Sequence, residues 1–251
     1  MDRHPRTAVI TGGSGGIGLA TGRLLAGKGY EVVLTARRAG PLEEAAETIG
    51  ARWVAADSTD EDQFKAVVQA AGTVGLLVHC AGVMAGTFVR KETAAGFDDI
   101  VRTNLRSAFV VSAGALPAME AGGRIVFLSS SAAHAPQPGR AAYSASKAGL
   151  NAFAEALAGE VERDGIAVHV VTPAPVATSM LDDVHFPMLT LDPEHVAAAI
   201  AWLDDLPAAV VLRELEMRAV EAGPFVPPVF VPAAARARGR TELMRGPEGR
   251  G

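Results

Sequence analysis

Tyr143 stands four residues before Lys147 in "AAYSASKAG", in a chain with only two tyrosines. A helix through this stretch places both side chains on one face, one turn apart. A phenol titrates near 10, so at neutral pH it is a reluctant acid or base. A neighbouring ammonium favours the phenolate and moves the group toward the range where general acid–base catalysis works best. The residues packed around the pair are serines and alanines, which offer little to bury either side chain. A Tyr and Lys at this spacing are common on solvated helix faces, so their company decides what they mean. Thirteen residues upstream lies Ser130, in the serine cluster of "RIVFLSSSAAH" at the end of a strand-like run.

A second motif handles phosphate. "TAVITGGSGGIGLA" reads as a strand, a tight turn and a helix start, with five glycines in the seven residues 12–18. Such a turn lets backbone N–H groups approach an anion, and the helix that follows adds the partial positive charge of its N-terminus. The pattern fits both G-x-G-x-x-G (Gly13, Gly15, Gly18) and T-G-x-x-x-G-x-G (Thr11, Gly12, Gly16, Gly18). Gly12, Ser14, Gly16, Ile17 and Gly18 are the residues expected to hold a pyrophosphate.

NAD-binding loops are followed, about 20 residues on, by an acid that bonds the ribose hydroxyls. Here the second strand ends "LTARRAG": Ala36 stands where the acid belongs, and Arg37 and Arg38 follow. Guanidinium groups suit a 2′-phosphate, so this end favours NADP(H) over NAD.

These groups need a frame to hold them. Apolar, β-branched runs at 7–11, 31–36, 51–56, 75–80, 124–129, 167–172 and 210–217 alternate with segments whose apolar residues fall three and four apart. Most runs are apolar on consecutive positions, as in strands covered on both faces. The last alternates, as an edge strand does. The fold class is therefore α/β: a Rossmann-like doubly wound parallel sheet of about seven strands, helices on both faces, in three layers. In such sheets ligands bind at the carboxyl ends of the strands, where the glycine turn, the serine cluster and Tyr143 would meet.

Composition narrows the function classes. Apolar residues make up 49% of the 251, enough for a large core, and the net charge of −5 argues against a nucleic-acid binder. One cysteine, Cys80, excludes an intrachain disulfide, and the six histidines show no metal-ligand spacing. No apolar run approaches a membrane span, and no signal-peptide pattern opens the chain, so a soluble cytoplasmic protein is expected.

Taken in order, these marks resemble the short-chain dehydrogenase/reductase family over residues 6–220. They are "TGGSGGIG", Asp57 in "AADSTD", Asn104 in "VRTNLRSAF", Ser130, "YSASK" and "TPAPVATSM". The resemblance implies an NADP(H)-dependent enzyme interconverting a ketone or aldehyde with an alcohol. Tyr143 would pass the proton and Ser130 would bond the same oxygen. Lys147 would bond the nicotinamide ribose and lower the Tyr143 pKa, and Asn104 would hold a water linking Lys147 to solvent. Asp57 would contact the adenine edge, and Ala81 and Gly82 would line the cofactor. Val176 and Thr178 would fix the carboxamide, and Arg37 and Arg38 the 2′-phosphate. Each has a plainer reading: Asn104 as a local backbone partner, Thr178 as a loop hydroxyl, Asp57 as the cap of a helix near Thr59. The resemblance also implies a homodimer or homotetramer, built on helices near 93–120 and 142–163.

The chain departs from the family where N-A-G becomes Cys80, Ala81, Gly82, with Cys80 expected as a buried packing residue, and where P-G becomes Pro173, Ala174. His79 and His169 fall in strands as packed or bonded residues, while His134 is a candidate for the substrate crevice. Residues 174–195, rich in Met, Leu and Phe, are expected to form a lid suited to a hydrophobic carbonyl compound rather than a small charged acid. Residues 1–222 then form the domain, and 223–251, with five prolines and five arginines, an extended tail. Two rivals keep the cofactor fold: a nucleotide-binding sensor or scaffold that has lost turnover, and a nucleotide-sugar epimerase or dehydratase. The latter usually needs a larger substrate domain.

Overall fold

The computed structural model describes residues 6–181, 188–207 and 210–220. Strand and helix alternate along the chain: β1 (Thr7–Thr11), α1 (Gly16–Gly27), β2 (Glu31–Ala36), α2 (Ala39–Glu47), β3 (Arg52–Ala55), α3 (Glu61–Ala71) and β4 (Leu76–His79). Then come α4 (Ala94–Val101), α5 (Ser107–Ala115), β5 (Arg124–Leu128), α6 (Ala141–Val161), β6 (Ala167–Pro173), α7 (Pro193–Asp205) and β7 (Glu214–Met217). The seven strands form one sheet in the order β3-β2-β1-β4-β5-β6-β7. Every pairing is parallel. The expected fold class is the observed one.

Consecutive apolar residues in each strand serve two cores. Val9 of β1 packs with Phe64 and Val67 of α3, Val111 of α5 and Leu150 of α6. Its neighbours Ala8 and Ile10 point the other way, to Leu25 of α1, Leu42 of α2 and Ile200 of α7. This period of two places helices on both faces of the sheet. Phe64 and Phe127 are fully buried, each contributing about 2–3 kcal/mol of transfer free energy.

Two elements differ from expectation. The helix expected over 93–120 is broken by a wide π turn, Arg102–Arg106, between α4 and α5. β7 begins at Glu214 rather than at residue 210. Ahead of it, the Leu212 carbonyl accepts from His169 Nδ1 at 2.7 Å rather than from a strand N–H, and the ladder starts with Val170 N on the Arg213 carbonyl at 2.8 Å. The tail from 223 and part of the expected lid, 182–187, lie outside the described residues.

Candidate active site

The strand order reverses between β1 and β4, and this is where a doubly wound sheet opens a crevice. In register, Thr11 at the end of β1 lies opposite His79 at the end of β4. The glycine turn leaves β1 here with Gly12 at φ +67°, and a Cβ on Gly12 would meet Cys80 and Ala81 backbone at 3.0 Å. A Cβ on Gly18 would lie 2.3 Å from the Gly12 carbonyl, so only glycine lets α1 start this close to the turn. The first turn of α1 has no capping side chain and no acid, which leaves its N–H groups and dipole for an anion.

A cavity of about 770 Å³ runs from this turn to the start of α6. All but one of the site residues expected from sequence line it. At one end are Gly12, Ser14, Gly16, Ile17 and Gly18, with Arg37, Arg38 and Asp57; at the other are Ser130, Tyr143 and Lys147. Ala81, Gly82, Val176 and Thr178 lie between them along the same wall. The Thr178 methyl comes within 3.1 Å of where a Cβ on Gly16 would sit, so this loop closes over the glycine turn. It is pinned by the Ala177 N–H on the Leu191 carbonyl and the Leu191 N–H on the Pro175 carbonyl, at 2.8 and 2.9 Å.

The exception is Asn104, which is fully buried and does not line the cavity. Sitting in the π turn, it accepts from Val83 N at 2.8 Å and donates to the Val83 carbonyl and Ser146 Oγ, both at 3.0 Å. It thereby ties the 81–83 segment to α6. A Cβ on Gly82 would touch Asn104 Oδ1 at 3.1 Å and Lys147 Nζ at 3.6 Å, so Asn104 backs the stretch of wall that Gly82 and Lys147 line. Single-turn π segments recur at functional sites because they re-aim one side chain without ending the helix.

Tyr143 and Lys147 are 7% and 6% exposed, against the expectation that small neighbours would leave them open. The burial comes from β5, the 81–83 segment and the serine turn rather than from α6 itself. Burial pushes the Tyr143 phenol above its ordinary value, opposed by the Ser130 hydroxyl and the charge of Arg140. The expected lowering by Lys147 is not what moves it. Lys147 donates to the Leu128 carbonyl at 2.8 Å, and burial drives its own pKa down to about 8. In the protein alone the pair is thus a strained ammonium beside a firmly protonated phenol.

Asp57 lines the cavity, and its Oδ1 accepts from Thr59 N at 2.9 Å and Thr59 Oγ1 at 2.8 Å. The cap of α3 is Asp60 instead, accepting from Asp62 N and Gln63 N. Arg37 and Arg38 are exposed, with no side-chain partner among the described residues. His134 does not line the cavity; it donates to Glu214 on β7 at 2.6 Å. Cys80 is half-buried on the cavity wall, and burial pushes its thiol up to about 12.

One set of residues escaped the sequence reading as a set. The Ser107 hydroxyl donates to the Thr103 carbonyl at 2.6 Å, so it must accept from His79 Nε2–H at 2.9 Å. His79 Nδ1 then accepts from Thr11 Oγ1 at 2.8 Å, and Thr11 Oγ1 in turn accepts from Ala81 N at 3.1 Å. This chain fixes a neutral imidazole, consistent with burial lowering its pKa to about 3. It anchors the Ala81–Gly82 wall to α5. The available signal was register: Thr11 and His79 both end adjacent strands.

Comparison with known proteins agrees with this arrangement. A family model described as short chain dehydrogenase matches residues 6–186. The chain is 34% identical over 222 residues to acetoacetyl-CoA reductase of Cupriavidus necator, covering 79% of this chain and 90% of that protein. It is 30% identical over 233 residues to a 3-oxoacyl-[acyl-carrier-protein] reductase of Vibrio cholerae, covering 85% and 96%. Among solved structures, BdcA in complex with NADPH superposes with a TM-score of 0.76 at 32% identity, covering 85% of this chain and 93% of that one.

Proposed function

The chain belongs to the short-chain dehydrogenase family, and from that membership we propose that it is an NADP(H)-dependent oxidoreductase interconverting a carbonyl compound and an alcohol. One observation carries this reading: a single cavity joins a glycine turn suited to an anion, and two arginines with no side-chain partner among the described residues, to Ser130, Tyr143 and Lys147. The residues fit NADP(H). Gly18 lets α1 start against the glycine turn, the uncapped first turn of α1 leaves N–H groups for a pyrophosphate, and Arg37 and Arg38 offer guanidinium groups where an NAD site would carry an acid. When bound, the cofactor supplies a hydride to the carbonyl carbon, or takes it back from the alcohol.

The chain's own groups handle the oxygen. Ser130 Oγ and Tyr143 Oη hold the substrate oxygen, and in reduction Tyr143 gives it a proton as the C–H bond forms. The phenolate left behind is stabilised by the Lys147 ammonium. A phenol raised by burial is fully protonated through the neutral range, so it enters reduction loaded. Oxidation of the alcohol needs the phenolate and should gain rate as pH rises.

The names of two relatives describe ketones two carbons from a thioester, which makes 3-oxoacyl compounds sensible first probes. The test follows cofactor oxidation across a carbonyl panel, with NADPH and NADH run side by side, for the wild type and Tyr143→Phe. The expected outcome is turnover with NADPH, much weaker turnover with NADH, and a loss of about 10³-fold in the variant. Binding of NADPH without turnover of any carbonyl compound would favour the sensor reading. Equal rates in both proteins would remove Tyr143 from the mechanism.

A further inference from the structure

We propose that Arg140 binds the carboxylate of an oxo-acid substrate, so that the oxidoreductase reading, on which this rests, narrows to oxo acids and their hydroxy acids. Among the described residues, five cationic side chains line the cavity, Arg37, Arg38, Arg102, Arg140 and Lys147, against one acid, Asp57. Four of the five are accounted for. Arg37 and Arg38 stand at the β2 end, Arg102 pairs with Asp99 at 3.0 Å, and Lys147 donates to the Leu128 carbonyl. Arg140 has no hydrogen-bond or ion-pair partner for its side chain among the described residues.

Its place is specific. Arg140 directly precedes α6, three residues before Tyr143, and both residues line the cavity. Its charge reaches the Tyr143 phenol, so the guanidinium lies within electrostatic range of the reacting oxygen. A carbonyl oxygen held by Ser130 and Tyr143 therefore has a cation nearby with unfilled donors. A carboxylate fills them: it matches the planar fork of a guanidinium with two parallel N–H···O bonds.

The lining there is mixed. Met84, Leu181 and Met188 contribute apolar surface among Ser129, Ser131 and Gln137, which suits an aliphatic chain on the other side of the carbonyl. The lid residues alone suggest a hydrophobic substrate without charge; Arg140 changes that to an amphipathic one. The chemistry stays balanced as before: hydride to the carbonyl carbon and the Tyr143 proton to its oxygen convert the oxo acid to a hydroxy acid. The carboxylate is untouched.

The test pairs 2-, 3- and 4-oxo acids with their methyl esters in the NADPH assay, for wild type, Arg140→Gln and Arg140→Lys. The wild type should prefer the best acid over its ester by at least tenfold in kcat/KM, mainly through KM. Arg140→Gln should lower that ratio at least tenfold, while Arg140→Lys keeps part of it. A second readout needs no turnover: calorimetric titration of 3-methylbutanoate, which has no reducible carbonyl, into the NADPH-loaded protein. Binding weakened tenfold by Arg140→Gln supports the site even if no carbonyl compound is reduced, and in that case the oxidoreductase reading is what fails. Equal rates on acid and ester in the wild type, or carboxylate binding indifferent to residue 140, would overturn the assignment of Arg140 and leave the wider reading standing.

Discussion

The two tyrosines of this chain sit at opposite ends of one sheet, and their surroundings differ in kind. Tyr30, just before β2, belongs to a cluster at the amino ends of the strands. Its hydroxyl donates to Asp204 of α7, which also takes Arg6 Nη1 at 3.2 Å and lies 3.9 Å from Arg124 Nε. Arg6 spends its other nitrogen on the Gly75 and Gly122 carbonyls, each at 3.0 Å. Arg124 bonds His169 Nε2 at 3.0 Å and the Leu206 carbonyl at 2.6 Å, and His169 Nδ1–H closes the set on Leu212. Burial and the Asp204 bond hold the Tyr30 phenol at about 12, a permanent donor. Tyr143, at the carboxyl ends, shares its region with a buried ammonium that meets one carbonyl and no carboxylate among the described residues. Charges matched within the protein are scaffold, and charges left short of partners are where a ligand is expected to complete the set.

The widest separation between the two regions should come from Lys147→Met. A lysine whose folded pKa is about 8, below the ordinary 10.5, is held against its preference at neutral pH. That penalty is fully present below pH 8 and fades as pH rises from there toward 10.5. Removing the charge should therefore raise stability at pH 7 by about 1–3 kcal/mol, after allowing for the lost bond to Leu128. Turnover should fall by about 10³-fold or more. Denaturant midpoints read beside initial rates test both halves, and a variant that loses stability along with activity would erase the distinction.

Asp204→Ala should do the reverse. It strands Arg6, Arg124 and Tyr30 around an empty site, and breaking a buried pair from one side costs about 3–5 kcal/mol. The cluster lies at the far end of the strands from Ser130, so kcat of the folded fraction should change less than threefold. A urea titration with activity measured across the folded baseline separates these effects. If activity per folded molecule falls tenfold, the amino-end cluster is coupled to catalysis.

Much of this division was legible before any coordinates. Doubled apolar positions in β1 and β4 announced a sheet covered on both faces, and the glycine turn and the Tyr–Lys spacing were local patterns that survive any tertiary context. What the sequence could not carry was partnership across distance. Arg6 and Asp204 are 198 residues apart, and nothing local to either names the other. The environment of Tyr143 was misjudged for the same reason, because the atoms that bury it come from other elements. His134 looked like a crevice residue by its nearness to Ser130, yet the turn it ends points it at the edge strand.

His134 and its acceptor make the smallest and most discriminating case. Glu214 on β7 accepts from His134 and Thr172, each at 2.6 Å, and from Asn151 at 3.3 Å, while Asn151 takes the Ser129 hydroxyl at 2.5 Å. This set lies between the two regions in character: bonded internally like the amino-end cluster, but one residue from Ser130. Burial raises the Glu214 pKa, and the bonds from His134, Thr172 and Asn151 outweigh it, so the net shift is downward. A carboxylate lowered in the folded state adds stability above its unfolded value near 4.5 and loses it as pH falls through the folded value. The Glu214 side chain is 37% exposed, so screening limits the gain to about 0.5–1 kcal/mol. Glu214→Gln should cost that much at pH 7 and less at pH 3, with less than a threefold change in kcat. Stability curves at the two pH values check the first part. A tenfold fall in kcat with KM unchanged would move this edge of the sheet into the working end, because the serine turn would then depend on Glu214 for its aim.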